Sequence, residues 1–188
     1  MPVLVDGTTC RFVRLEITPK EIPAMLEAHR RVWPSGEHFE SKGERQKEVD
    51  FPEDESVSFA EGVIRWGRGQ RFVGRFLDRN SGSAIAIALR NSVALVDRGE
   101  VSHAVASVQQ LDYLGQSFAS KLVRFLCPTR AVILDDVIRS SLGYMDSREG
   151  YEEFLADCTA VLNVAKQDQP SLRICDVEEA VFAKLQGY

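Results

Sequence analysis

The sequence lacks the residue patterns that mark metal centres, disulfide frameworks and membrane segments. Its four cysteines include no CxxC pair, and its three histidines are scattered without HExxH spacing. These spacings do not fit compact zinc or iron–sulfur sites, so we predict reduced cysteines, no metal and no cofactor. No apolar run has the length that spans a bilayer, and the N-terminus lacks the features of a secretory signal. We therefore expect a cytoplasmic protein with no membrane partner.

An overall excess of basic charge is also missing, because the 188 residues carry a formal net charge of −5. That balance does not by itself indicate a nucleic-acid-binding protein. The charge is uneven, however, since residues 63–100 carry seven basic and three acidic side chains while the segments on either side are acidic. The composition, 44% hydrophobic and 27% charged, is typical of a folded globular protein, and we predict a single domain over 1–188.

Helical signals dominate after a short N-terminal element. The stretches "VLV" and "RFVRLEI" flank the turn signal Asp6-Gly7 and predict a small β-hairpin. Thr18, Pro19 and Glu21 have the spacing of a helix start with a capping box. From the spacing of apolar residues, further helices are predicted over 56–67, 81–98, 101–112, 117–127, 136–142, 148–166 and 176–186.

Two segments have a distinctive composition. Residues 81–98 are apolar nearly all round and predict a central helix. Residues 34–55 are polar and charged, and they predict a long loop or mobile segment. We therefore expect a mainly α fold in which 1–55 form an N-terminal extension and 56–188 form a helical core.

Lys121 lies on the border of the apolar face of the predicted helix 117–127, beside Phe125. Its stem is expected to pack against the core and its amine to reach the rim of a cleft, whereas Arg124 is expected to point outward. Most lysines at such positions only extend their amine into water. Asp135 or Asp136 would cap the helix 136–142, and a cap needs no catalytic role. A carboxylate held there is nevertheless fixed in place and kept ionised by the helix dipole.

The stretch "LGQSFASKLVRFL…VILDDVIRSSLG" resembles the helix-hairpin-helix DNA glycosylases, especially small bacterial proteins with an 8-oxoguanine DNA glycosylase-like fold. The resemblance covers roughly residues 80–186 and implies a glycosylase-like helical bundle. It implies that Lys121 is the catalytic lysine and that Asp135, or alternatively Asp136, is the catalytic aspartate. It also implies that Phe182 and Glu178, one turn apart on the predicted last helix, hold the extruded base.

The hairpin of this family carries glycines close before the lysine, where their backbone N–H groups approach a DNA phosphate. The positions four and two before Lys121 are here Ser117 and Ala119. We therefore expect the hydroxyl groups of Ser117 and Ser120 to share the phosphate contact.

The segment "RWGRGQRFVGRFLDR" interleaves arginines with aromatic residues, as do surfaces that contact phosphates and stack bases. The predicted DNA contacts are Arg65, Arg68, Arg71 and Arg75, extended by Arg124. A solvated basic face with no ligand is the alternative interpretation of the same pattern.

The resemblance implies a DNA glycosylase with AP-lyase activity that removes a modified base, such as oxidised guanine, from duplex DNA in base excision repair. Partial burial lowers the pKa of a lysine, and an uncharged amine can attack the sugar carbon to form a Schiff base. Two alternatives stay open. The chain could be a non-catalytic nucleic-acid-binding module, or it could be an interaction module with a protein partner, for example in bacterial defence against phage.

Overall fold

The structure is a computed structural model that describes residues 4–5, 9–12 and 15–188. The described chain begins with three short strands that pair in the antiparallel order β1-β2-β3: β1 (Leu4–Val5), β2 (Cys10–Phe12) and β3 (Leu15–Ile17). The predicted single strand over 11–17 is therefore wrong, because this segment folds back and places Cys10 opposite Ile17. Folding back buries Cys10, Phe12 and Ile17 completely. The predicted turn at Asp6-Gly7 lies outside the described residues.

A 3₁₀ turn (Pro19–Glu21) and ten α-helices follow in the described chain, so the prediction of a mainly α fold is confirmed. The helices are α1 (Ile22–Val32), α2 (Gly36–Glu48), α3 (Glu53–Trp66), α4 (Val73–Arg79), α5 (Gly82–Asp97), α6 (Val101–Val108), α7 (Gln116–Leu126), α8 (Asp136–Leu142), α9 (Arg148–Ala165) and α10 (Ile174–Gln186). The backbone N–H of Thr18 donates to Glu21 Oε2 at 2.8 Å, so the predicted helix start is confirmed.

The polar segment 34–55 is not the predicted loop, because it contains all of α2 and the start of α3. Glutamate, lysine, arginine and glutamine are good helix formers even where apolar residues are sparse. The buried face of α2 is narrow but closely packed. Phe39 is buried, and a Cβ on Gly43 would lie 2.3 Å from the carbonyl oxygen of Phe125 in α7. Glycine at position 43 therefore lets the two helix backbones approach each other.

Helix α7, and not α5 as predicted, is the central helix. Only one face of α5 is buried, and Ile87 on its other face is 49% exposed. In α7 every residue except Ser117 and Phe118 is buried, and the helix contacts α2, α3, α5 and α6. The polar side chains of α7 must consequently find partners inside the protein or open into a cavity.

The segment 1–55, predicted as an extension, shares one hydrophobic core with 56–188. Helix α1 packs against α10, and α2 packs against α7. Helix α4 was not predicted, because its segment was interpreted as an arginine-rich contact surface. Its residues Val73 and Phe76 lie one turn apart and are both buried. The N-terminal helices therefore help to shape the surface of α7 and α10 on which the candidate site lies.

Candidate functional site

A cleft of about 350 Å³ opens where α7, α10 and the N-terminus of α8 meet. Lys121 comes from α7, Asp135 from the residue before α8, and Glu178 and Phe182 from α10. The fold thus brings to one cavity the predicted lysine, the predicted aspartate and both residues predicted to hold a base.

Lys121 lies at the base of this cleft with only 6% of its surface exposed. Its Nζ donates to the carbonyl oxygen of Ser117 at 3.2 Å and to Ser117 Oγ at 3.0 Å. The same nitrogen lies 3.7 Å from Asp135 Oδ2 and 5.2 Å from the centre of the Phe118 ring. The amine therefore faces an anion and a cavity instead of bulk water.

The environment of Lys121 lowers the pKa of its amine. Burial is the largest influence and lowers its pKa, because an ammonium group loses more hydration than an amine does. The carboxyl groups of Asp135, Glu178 and Asp136 oppose this effect, yet the pKa remains lowered. A lysine in this state has a larger fraction of nucleophilic amine at neutral pH than a lysine in water.

Asp135 is held rigidly by the helix that it caps. Its Oδ1 accepts hydrogen bonds from the backbone N–H groups of Val137 and Ile138, each at 3.0 Å. This arrangement leaves Oδ2 as the atom that faces Lys121. The alternative candidate, Asp136, borders the cleft, but its side chain is 78% exposed and bonds to Arg139 at 2.7 Å. The geometry therefore pairs Lys121 with Asp135.

Glu178 and Phe182 form one side of the cleft. Glu178 is 2% exposed, and its Oε2 accepts a hydrogen bond from the backbone N–H of Ile133 at 3.3 Å. Burial raises the pKa of Glu178 to about 8. Phe182 makes T-shaped contacts with His29 and Trp33, whose ring centres lie 5.8 and 6.3 Å away. Phe182 is therefore held in place by aromatic neighbours where it borders the cavity.

Two aromatic residues of the cleft, Trp33 and Tyr188, were not predicted, whereas Trp66 belongs to the arginine-rich segment whose aromatics were predicted to stack. Trp33 follows α1, and its ring centre lies 5.2 Å from that of Trp66 at the end of α3. Its indole N–H donates to the Tyr188 hydroxyl at 3.4 Å. These residues are far apart in sequence, and no local spacing relates them. The packing of α1 on α10 brings Trp33 and Tyr188 together.

The predicted phosphate contacts in α7 divide into two groups. Ser117 borders the cleft, and its hydroxyl accepts from Lys121. Ser120 is completely buried, donates to the Ser117 carbonyl oxygen at 3.1 Å and accepts from the Leu134 N–H at 3.2 Å. The prediction that Ser120 contacts a phosphate is therefore wrong. Its hydroxyl ties α7 to the segment that leads into α8.

Arg124 was predicted to point outward and to extend a DNA-binding patch, and both expectations are wrong. It is 1% exposed and forms ion pairs with Glu40, at 2.7 Å, and with Glu179. Because Glu40 lies in α2 and Glu179 in α10, this guanidinium joins three helices. The outward position was expected because residues 34–55 were predicted to be a loop, whereas α2 covers this face of α7.

The arginines of the segment 65–75 are all exposed. Arg65 pairs with Glu61 at 2.8 Å, whereas Arg68 borders the cleft and stacks on Trp33 with its guanidinium 4.7 Å from the ring centre. Arg75 lies over the Tyr113 ring at 5.2 Å. Phe76, one of the aromatics predicted to stack, is fully buried and cannot do so. Among the four arginines of this segment predicted to contact DNA, Arg68 is the one that borders the cleft.

Comparison with known proteins finds no family model that matches the chain, no curated relative and no solved structure of significant similarity. Within the described residues, no group of three or more histidine, cysteine, aspartate or glutamate side chains could hold a metal ion. None of the described helices is both long and apolar enough to cross a bilayer. The function is therefore inferred from the geometry and chemistry of the cleft.

Proposed function

We propose that this protein is a DNA glycosylase with an associated lyase step, in which Lys121 is the nucleophile and Asp135 the electrostatic partner. One observation carries the proposal: the buried Lys121 amine, with its lowered pKa, faces a cavity and lies 3.7 Å from an anchored carboxylate. The resemblance of the stretch from Leu114 to Gly143 to helix-hairpin-helix glycosylases supports the same assignment.

The chemistry follows from these two groups. When the bond between the base and the sugar C1′ weakens, positive charge develops on the sugar, and the Asp135 carboxylate stabilises it where water is excluded. The Lys121 amine forms a bond to C1′ as the base departs with the bonding electrons. Loss of the amine proton and opening of the sugar ring give a Schiff base, from which elimination can cut the strand.

The cleft has the size and lining that an extruded base requires. Its volume of about 350 Å³ lies within the range of small-molecule sites, roughly 300–1,000 Å³. A flipped base leaves its stack and is recognised by stacking and hydrogen bonds inside a pocket. Phe182 supplies an aromatic surface, Glu178 supplies a polar group one turn earlier, and Arg68 supplies positive charge for a phosphate at the cleft.

Borohydride trapping on a duplex with an abasic site tests this function directly. Wild-type protein should form a covalent adduct with the DNA, because borohydride reduces the Schiff base to a stable amine. Lys121→Ala should form no adduct, and Lys166→Ala, which removes an exposed lysine at the end of α9, should form as much as wild type. Lys121→Met keeps apolar volume at the site, and its circular dichroism spectrum, compared with that of wild type, separates loss of the adduct from loss of folding.

A second candidate function is a non-catalytic module that binds a protein or nucleic acid. The net charge of −5 and the acidic residues Asp135, Asp136 and Glu178 around the cleft favour a protein partner over DNA. In this case Lys121 and Asp135 would serve as a buried ion pair. No adduct with abasic DNA, together with no salt-dependent DNA binding, would support the protein-binding module over the enzyme.

A further inference from the structure

The Glu178 carboxyl group differs from the other acidic groups of the cleft region in its partners. Among the described residues, its side chain has one hydrogen bond, from the backbone N–H of Ile133. The neighbouring Glu179 has the Arg124 guanidinium, and Asp135 has two backbone donors and the Lys121 amine. Glu178 is thus a buried acid without a cation bonded to it.

A buried carboxylate with a single neutral donor is unfavourable, so the neutral acid is the stable form. The groups that act on Glu178 belong to four packed elements. Arg124 and Lys121 lie in α7, Asp135 precedes α8, Tyr151 and Cys158 lie in α9, and Glu179 lies in α10. Burial outweighs the lowering effect of Arg124 and raises the pKa of Glu178 to about 8. Most molecules therefore carry the proton at neutral pH.

A neutral carboxyl group has an O–H to donate, and no hydrogen bond from Glu178 to an acceptor occurs within the described part of the protein. The residue borders the cleft one helical turn from Phe182. Side chains four apart on a helix are neighbours, with about 5–6 Å between their Cβ atoms. A base stacked on Phe182 would therefore present its edge to the unused O–H of Glu178.

Building on the proposed function, we propose that Glu178 is the general acid that protonates the departing base. As the C1′–N bond breaks, its electrons pass to the base and the Glu178 proton passes to a base nitrogen or oxygen. The base leaves as a neutral molecule, and Glu178 becomes a carboxylate that regains a proton from water. Lys121 supplies the electrons that form the new bond to C1′, so no oxidant or reductant takes part in base release.

This assignment gives the two carboxyl groups of the site different roles. Asp135 is anchored by two backbone N–H groups at a helix N-terminus, and its carboxylate stabilises the cationic sugar. Glu178 remains protonated because burial disfavours its charge, and it assists the leaving group. Sites that need both an anion and a proton donor typically hold two acids in different environments.

The experiment separates base release from lysine chemistry by using two classes of DNA. An abasic duplex needs Lys121 but has no base to protonate. A panel of duplexes, each with one modified base and including 8-oxoguanine, requires both groups. The test variant is Glu178→Gln, which keeps the shape of the side chain and an oxygen for the Ile133 N–H but cannot act as the acid. The control is Glu153→Gln, which alters an exposed glutamate of α9.

We expect Glu178→Gln to trap abasic DNA as well as wild type, which also shows that it is folded. Its single-turnover release of base should fall by about 10²–10⁴-fold, the usual contribution of general acid catalysis. For wild type, release should decline as pH rises through about 8, and this alkaline decline should be absent in Glu178→Gln. Glu153→Gln should behave as wild type in both assays.

Release by Glu178→Gln within a few-fold of wild type would overturn the role of Glu178 while leaving the glycosylase function intact. If wild type trapped abasic DNA but released no base from any duplex of the panel, the role of Glu178 would be overturned and only the lysine-dependent lyase step of the proposed function would remain. Absence of trapping by wild type would instead overturn the proposed function itself, and the role of Glu178 with it.

Discussion

The same two helices, α7 and α10, carry two charged clusters with opposite properties. In the first cluster, Arg124 of α7 is paired with Glu179 of α10 and with Glu40 of α2. In the second, Lys121 lies one turn earlier on α7 and shares the cleft with Glu178, the residue before Glu179. The first cluster is closed and ion-paired between helices, whereas the second lines an open cleft.

The difference shows that burial alone does not make a residue reactive. Arginine keeps its proton in proteins, and its planar guanidinium binds two carboxylates at once, so Arg124 is suited to joining helices. Lysine loses its proton more readily when it is desolvated. Lys121 also lies beside a cavity that can admit a ligand, whereas Arg124 is sealed beneath α2.

The comparison predicts that the largest loss of stability comes from the closed cluster. Arg124→Ala leaves the buried Glu179 without its bonded cation and removes one of the two arginines that pair with Glu40, the other being Arg173. This should lower the free energy of unfolding by about 3–5 kcal/mol. Lys121→Met, which replaces a buried amine by an apolar group, should lower it by much less. Urea unfolding followed by circular dichroism measures both variants. A larger loss for Lys121→Met would contradict the division between a structural and a chemical cluster.

The second prediction concerns the anion of the open cluster. Asparagine caps helices nearly as well as aspartate, so Asp135→Asn should keep α8 and the stability of the fold. It removes the negative charge 3.7 Å from Lys121, and single-turnover base release should fall by about 10²–10³-fold with DNA binding retained. Asp136→Asn is the matched control, because that carboxylate is largely exposed. Inactivity of Asp136→Asn with an active Asp135→Asn would reverse the assignment.

Local patterns in the sequence predicted much of the open cluster. The border position of Lys121 and the helix cap at Asp135 or Asp136 are short-range features, whereas Glu178 and Phe182 were expected only from the family resemblance. Such features depend on residues within one or two turns of a helix, and a single sequence displays them.

The closed cluster was not predicted, because it depends on contacts between distant segments. Residues 34–55 were predicted to be a loop, and without α2 nothing covers the Arg124 face of α7. Once α2 is present, Gly43 allows the close approach of α2 to α7 that places Glu40 beside Arg124. Trp33 and Tyr188 likewise lie at the cleft because of contacts between distant segments.

His29 lies where the two clusters meet, and it provides the third prediction. It borders the cleft, and its Nδ1 lies 3.7 Å from Glu179 Oε2. Burial, together with the positive charge of Arg124 and Arg30, lowers its pKa from 6.5 to about 4. At pH 7 His29 is therefore neutral in both the folded and the unfolded protein. At pH 5 it is protonated only in the unfolded protein, which favours unfolding.

Lowering the pH from 7 to 5 should consequently cost about 2 kcal/mol of stability through His29 alone, since each pKa unit corresponds to about 1.4 kcal/mol. The pH dependence of stability that Glu178 contributes has the opposite sign. Because its pKa is raised, the folded protein binds a proton more readily than the unfolded protein does, so its contribution to stability increases as pH falls from about 8. The two contributions partly cancel in wild type, and the His29 effect must be measured as a difference. In urea unfolding, the free energy of unfolding of His29→Gln should fall by about 2 kcal/mol less than that of wild type between pH 7 and pH 5. The control is substitution of the exposed His38 by glutamine, which should leave the wild-type pH dependence unchanged. Equal pH dependence in His29→Gln and wild type would mean that His29 can accept a proton in the folded state. His29 would then belong with the ion-paired cluster of Arg124 and Glu179 instead of with the cleft.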